Sequence, residues 1–378
     1  MRLPCKTGAP VSPAAQPPSP APADAPTPNK PPVLLRATLA EVVGSSMRVA
    51  GLSVLERAIK QLHRLGHHVV LASDGSCRLP LYLPASVRVQ KVPKPENLTA
   101  LRRELVGAIE VGADEVRPAN RSLEGTLRVI DESSRRRAER AIFAELLRGD
   151  LGFVARYLNK PVSFFITRHL LCRLPFSPNQ VTVGAAVLGL LGALLVASGG
   201  PWLMIWGFFL AHLQSILDGC DGELARVRFQ QSALGEWLDT MVDDGLNIVL
   251  FACIGVGVFR ATGNPWALAA GLFNAALHVW YDVIAYRELR LQGEGGEVIK
   301  VRWRLAGSAD MKTRVAAGKR DPLVAVHSLG RRDFFILAFL VYALLGVPWL
   351  ALIHAFMIAG PLAVVAGVQV VWRLRGGR

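Results

Sequence analysis

Four aspartates stand close together in the stretch "LDGCDGELARVRFQQSALGEWLDTMVDDG", residues 217–245, between two apolar runs. Carboxylates near hydrocarbon are costly and usually functional, so Asp218, Asp221, Asp239 and Asp243 need partners. If both runs are helical, Asp218, Asp221 and Ala225 share one face, because they recur at three and four residues. Gly235, Asp239 and Asp243 recur every fourth residue and form a second stripe. Two consecutive antiparallel helices would point all four carboxylates into one cleft. Such a cluster repels itself unless cations neutralise it. Oxygen-only ligands suit a pair of Mg²⁺ or Mn²⁺ ions, or Ca²⁺, rather than zinc. Acidic metal sites with spare coordination positions serve phosphate chemistry, where the metal stabilises charge developing on the anion. Gly222 and Gly235 remove side chains where a ligand or a neighbouring helix must come close. Arg226 offers a planar cationic fork suited to a diphosphate.

The elements that would carry these residues belong to a membrane protein. The chain has 378 residues, 51% of them hydrophobic and 19% charged, with a formal charge of +14. Six apolar runs are long enough to span a bilayer, near 180–198, 202–219, 235–259, 265–286, 333–347 and 350–372, the fifth being short. The turns alternate in character. "SGGP", "RATGNP" and "GVPW" carry only Arg260, whereas residues 226–234, 287–332 and the tail are rich in Arg and Lys. The positive-inside rule therefore predicts both termini in the cytoplasm, the protein lying in the cytoplasmic (inner) membrane. The basic charge follows that topology and does not point to nucleic acid.

Four segments are predicted. Residues 1–32 include a Pro/Ala tract that cannot bury a core and read as a disordered arm, without the apolar stretch of an export signal. In residues 33–150, "SVLERAIKQLHRLG" has helical periodicity and "HHVVLAS" reads as a buried strand, so a small cytoplasmic α/β domain is expected. Residues 151–176 alternate Phe153, Tyr157, Phe164 and Phe165 with Arg156, Lys160 and Arg168, the pattern of an amphipathic helix lying on the membrane. Residues 177–378 form the six-helix domain. The five scattered cysteines suggest neither zinc nor a disulfide framework.

The spacing D-x2-D-G-x2-A-R-x8-G-x3-D-x3-D is filled at every position by Asp218, Asp221, Gly222, Ala225, Arg226, Gly235, Asp239 and Asp243. It resembles the signature of the CDP-alcohol phosphotransferase family of integral membrane enzymes. "SPNQVT", residues 177–182, is similar to that family's lead-in to its first span, with Ser177 in place of the usual threonine. The resemblance implies transfer of a substituted phosphate from a CDP-linked donor to a second alcohol, with release of CMP. It implies that Asp218, Asp221, Asp239 and Asp243 hold two Mg²⁺ or Mn²⁺ ions and that Asp243 is also the catalytic base. Gly222, Ala225, Arg226 and Gly235 would line the CDP site. Homodimers are common among such enzymes. An anionic acceptor, a polyol phosphate, would need cations nearby, and Arg287, Arg331 and Arg332 are candidates, although topology alone accounts for arginines there.

Residues 45–75, containing "GLSVLERA", resemble part of a nucleotidyltransferase-type domain, and some members of the family fuse an inositol-phosphate cytidylyltransferase to the membrane enzyme. At the place of the phosphate-binding glycine loop, however, stands "VLLRATLAEVVG". Backbone N–H groups cannot approach phosphates there as they do in a glycine-rich nest. A degenerate front domain without cytidylyl transfer is expected, and the fusion favours an inositol-phosphate acceptor of the di-myo-inositol phosphate type.

Blander readings compete at several positions. One aspartate at a membrane boundary is often a cap, but four in register are not. Asp244, Glu223 and Glu236 lie off the register and read as solvated or supporting groups. Asn179 and Thr182 read equally well as an N-cap. His212, His278 and His354 lack ligand-spaced partners and read as packing histidines. Trp237, Trp280, Trp303, Trp349 and Trp372 read as boundary aromatics. Rival functions are a phospholipid synthase using CDP-diacylglycerol, a divalent-metal transporter and an inactive scaffold.

Overall fold

Where long apolar runs leave no side chain to satisfy the backbone, the helix satisfies it internally. The computed structural model describes residues 32–37, 47–74, 83–92, 94–105, 108–112, 114–116, 127–147, 152–293, 295–296, 298–304 and 330–376. These fall into two compact units.

In one unit, β1 (Val33–Ala37), α1 (Val54–Arg64), β2 (Val69–Ser73), β3 (Val87–Lys91), α2 (Pro95–Glu104) and β4 (Ile109–Gly112) form a four-stranded sheet in the order β3-β2-β1-β4. Every pairing is parallel, with Val33 opposite both Val69 and Ile109. Val33, Leu34, Leu35 and Ala37 are all buried, as a central parallel strand requires. Helices between parallel strands make this a small α/β unit, in keeping with the period change read at residues 54–73. Residues 1–31 of the expected disordered arm, and the segment 38–46 at the place of a phosphate loop, lie outside the described residues.

The other unit is helical. After α3 (Glu132–Leu146) comes a π-helical turn, Ala155–Asn159, running into α4 (Lys160–His169) and a 3₁₀ turn, Leu171–Arg173. Then follow α5 (Pro178–Ala197), α6 (Pro201–Arg228), α7 (Ala233–Thr262), α8 (Pro265–Gln292), α9 (Arg332–Leu344) and α10 (Leu350–Leu374). Helices α5, α6, α7, α8 and α10 are each long and apolar enough to cross a membrane. Over the fifth apolar run, α9 has 13 residues, about 20 Å of helix against a hydrocarbon layer of about 30 Å.

Local chemistry sets the boundaries. Ser177 caps α5 by a reciprocal pair of hydrogen bonds with Gln180, with Pro178 in the first turn. The expectation that Asn179 or Thr182 caps this helix is therefore wrong. A serine two residues upstream is free to do it, and Thr182 is engaged elsewhere. Ser232 caps α7 by accepting from the Gly235 N–H, and Gly263, at φ +70°, ends that helix. Helices α5 and α6 touch backbone to backbone, since a Cβ on Gly192 would stand 2.7 Å from the Gly207 carbonyl oxygen. The core between the long helices is apolar, centred on Phe208, Phe251, Ile254, Phe339 and Ala355. At 28 and 30 residues, α6 and α7 extend past about 30 Å of hydrocarbon, and their joined ends carry the aspartates.

Candidate metal and phosphate site

Helix α6 ends at Phe229 in a left-handed turn, and α7 starts after Ser232, so the two aspartate stripes meet at this end of the pair. Carboxylate oxygens of Asp218, Asp221 and Asp239 lie within 4.8 Å of one another. One oxygen of Asp218 and one of Asp239 are buried without a hydrogen-bond partner among the described residues. Such orphaned acceptors cost free energy unless a cation takes them up. An all-oxygen donor set of this kind fits Mg²⁺ or Mn²⁺. The hydroxyl of Thr182 donates to Asp221, orienting that carboxylate from α5. Gly222 faces the guanidinium of Arg226, whose nitrogens stand 3.3 Å from where a Cβ would be. Gly235 faces Asn179, its absent Cβ lying 3.4 Å from the Asn179 Oδ1. Ala225 is half-buried one turn below Asp221.

Asp243 stands apart from the three-aspartate cluster. It pairs with Arg332, and the same guanidinium donates to Gln214 at 2.7 Å. Asp218 and Asp243 open onto a recess of about 160 Å³ that is also lined by Asn159, Lys160, Ser163, Arg331 and Arg332. Arg331 reaches Asp333 at 3.3 Å, and Asp333 accepts from the Ala155 N–H. Of the three candidate acceptor cations, Arg331 and Arg332 line this recess. Arg287 is exposed and is not among its lining residues.

Several residues take roles that spacing alone missed. Glu223, read as solvated or supporting, is fully buried and accepts from Lys160 (2.8 Å), Ser163 (2.6 Å) and Thr167 (2.8 Å), fastening α4 to α6. The π-helical turn just before α4 carries Ala155 and Asn159 to the recess; π-turns inside helices are frequent at functional sites. Gln214 lies four residues before Asp218, on the same face, and that spacing was the available signal. Asp244 is held by the Tyr286 hydroxyl at 2.7 Å. His278 was read as lacking a ligand-spaced partner, yet Asp282 follows it by four residues on α8, and Asp244, His278 and Asp282 form a second group of potential ligands. Glu288, also buried, ties α8 to α10 through Arg373 and Gln369. Glu236 is half-exposed.

Comparison with known proteins bears on the helices that carry these aspartates. The family model described as CDP-alcohol phosphatidyltransferase matches residues 176–368, just over half of the chain and all of the aspartate-bearing helices. A protein of Aquifex aeolicus named bifunctional IPC transferase and DIPP synthase is 29% identical over 227 residues, 60% of this chain and 45% of the relative. Proteins of the same name from Archaeoglobus fulgidus and Rubrobacter xylanophilus are 26% and 31% identical. The first covers 59% of this chain and 40% of the relative, the second 42% and 37%. The chain thus spans less than half the length of these relatives.

Proposed function

Because the chain belongs to the CDP-alcohol phosphatidyltransferase family, we propose that it moves a substituted phosphate from a CDP-linked donor to an acceptor alcohol and releases CMP. The observation that carries this reading is the convergence of Asp218, Asp221 and Asp239 around orphaned carboxylate oxygens, beside a recess lined with cations.

When bound, two Mg²⁺ or Mn²⁺ ions would neutralise the diphosphate and stabilise charge on the departing phosphate. Asp218, Asp221 and Asp239 are the residues to hold them, with Asp243 at the edge. Gly222, Ala225, Arg226 and Gly235 leave room and supply a guanidinium for the CDP moiety. The acceptor hydroxyl gives its proton to Asp243 as its oxygen bonds to the distal phosphorus, and the bond from that phosphorus to the CMP oxygen breaks. Arg332 holds Asp243 in one orientation for this step. A general base of this kind contributes about 10²–10⁴-fold.

A polyol-phosphate acceptor suits a recess bearing Lys160, Arg331 and Arg332, since three cations recognise a phosphate better than an uncharged hydroxyl. The names of the relatives, bifunctional IPC transferase and DIPP synthase, favour the same acceptor class. CDP-diacylglycerol with another polyol is the alternative. A metal transporter is disfavoured because the aspartates gather at one end of the helices and do not follow a path along them. Six spans, both termini on the cytoplasmic side, residues 151–176 at the membrane surface and homodimerisation complete the proposal. So does a front unit without cytidylyl transfer.

The test is to supply purified protein with Mg²⁺, labelled CDP-inositol or CDP-diacylglycerol, and a panel of alcohols and polyol phosphates. Release of CMP with a polyol phosphate supports the reading. Metal uptake into vesicles in the absence of nucleotide, with no CMP from any pair, sinks it.

A further inference from the structure

Helix α7 carries adjacent aspartates that face different ways. Asp243 turns to Arg332 and the recess. Asp244, about 100° further round the helix, faces α8. There its Oδ1 stands 4.0 Å from the Nε2 of His278, and the same nitrogen is 3.9 Å from Asp282 Oδ2. His278 and Asp282 are 5% and 4% exposed. Among the described residues, both ring nitrogens of His278 and both oxygens of Asp282 lack a hydrogen-bond partner. Four orphaned polar atoms in one buried spot form a large desolvation cost that packing cannot offset.

The spacing discriminates between two ways of relieving that cost. A proton shared between an aspartate and a histidine would draw them to hydrogen-bond distance, about 2.7–3.2 Å. Atoms that flank a transition ion, each about 2.0–2.2 Å from it, stand about 3–4 Å apart. The observed separations belong to the second case. The surroundings suit it too. Tyr286 donates to the other oxygen of Asp244 at 2.7 Å, the outer hydrogen bond that orients a ligating carboxylate. Phe251 packs edge-on to His278 at 5.5 Å and walls the site from the helical core. Asp244, with its side chain 21% exposed, leaves one side open to an incoming ion.

We propose that Asp244, His278 and Asp282 bind a further divalent cation in the seam between α7 and α8. Two carboxylates and an imidazole select a transition ion such as Mn²⁺, Fe²⁺, Co²⁺ or Zn²⁺ over Mg²⁺, which takes oxygen donors. The ion fixes α7 against α8 and thereby fixes the face of α7 that carries Asp239 and Asp243. It does not touch the reacting phosphate, so it is a positioning metal and not part of the oxygen-only cluster.

The two kinds of site differ in a nitrogen ligand, and a spectroscopic test reads that difference directly. Full-length protein, freed of affinity tags and stripped with chelator in detergent, is loaded with Mn²⁺. Bound manganese is counted, and electron spin-echo modulation is recorded for coupling to ¹⁴N. Wild-type protein should show imidazole nitrogen coupling. Asp221→Asn, which damages only the oxygen cluster, should keep it. His278→Gln should lose the coupling and bind one manganese fewer, and Asp282→Asn should weaken manganese retention in the seam at least tenfold. Absence of nitrogen coupling in the wild-type protein overturns the proposal whatever the variants do. Persistence of the coupling in His278→Gln overturns it as well. Neither result bears on the transfer reaction, which the CMP assay reads separately.

Discussion

Replacing Glu223 by glutamine should loosen the contact between α4 and α6 by a predictable amount. The carboxylate is fully buried and accepts three hydrogen bonds from α4, at 2.6–2.8 Å, one of them from the ammonium of Lys160. Glutamine keeps the volume and one oxygen for Lys160 and Ser163. Its amide can donate to the Thr167 hydroxyl once that group turns round. What is lost is the charge, and Lys160, with its side chain 14% exposed, loses its ion-paired carboxylate. Removing one partner of a buried pair costs about 3–5 kcal/mol. With the retained hydrogen bonds, about 3 kcal/mol is expected. At about 1.4 kcal/mol per tenfold, the contact should then open about 100-fold more often.

Cys220 reports that opening. It is buried on α6, and its Sγ lies 3.6 Å from the Ser163 carbonyl oxygen on α4. With Cys5, Cys77, Cys172 and Cys253 replaced by serine, the labelling rate of the remaining thiol measures how often the helices part. Glu223→Gln should accelerate labelling about 100-fold in an otherwise unchanged background. In a Lys160→Met background, where no cation is left stranded, the same change should accelerate it less than about tenfold. Equal acceleration in both backgrounds would refute the ion-pair account and leave shape alone as the explanation.

Four further outcomes follow from the site. Asp218→Asn and Asp239→Asn should each lower turnover on the order of 10³-fold, because orphaned acceptors convert to groups that no longer attract a cation; CMP release and manganese titration check this together. Exhaustive chelation should abolish CMP release, and Mg²⁺ or Mn²⁺ should restore it. Thr182→Val should raise the metal concentration needed for half-maximal rate about 10–100-fold with little change in thermal stability, since only the orientation of Asp221 is lost. Arg332→Lys cannot bridge Gln214 and Asp243 together and should cost about 10–100-fold in kcat, whereas Arg287→Lys, at an exposed position, should stay near the parental rate.

Periodicity made the aspartate stripes legible, because a repeat of three and four residues translates directly into a helix face. The same reasoning placed a buried strand in "HHVVLAS", and the structure has one at Val69–Ser73. Helix α9 was harder. Its apolar run continues to residue 347, but the helix stops at Leu344 and the chain turns at Gly346, φ +74°. Hydropathy cannot see where a backbone turns. For Glu223 and Asp244, read as solvated or supporting, the structure keeps the supporting reading, and spacing could not choose between the two for a related reason. Each lies off the stripe of its own helix, and its partners sit on a different one, Lys160 about 60 residues upstream and Tyr286 about 40 downstream. One-helix spacing carries no record of such cross-helix contacts. His278 could have been recognised, since Asp282 shares its face. A lone histidine in an apolar run looks bland only until the residue four places on is read with it.

The side chain of Arg228 reaches back across the start of the helical array and grips three carbonyl oxygens, those of Leu171, Leu174 and Phe176, at 2.6–2.8 Å. These oxygens belong to the link between α4 and α5, a 3₁₀ turn and an extended stretch, which would otherwise be a swivel. One guanidinium pins it at three points, and Glu223 clasps α4 from the side, so α4 is tied to α6 at both places. Phe153, Tyr157 and Phe165, all turned outward, are therefore carried rigidly with α6. Any push that the surroundings exert on those rings is delivered to the helix bearing Asp218 and Asp221.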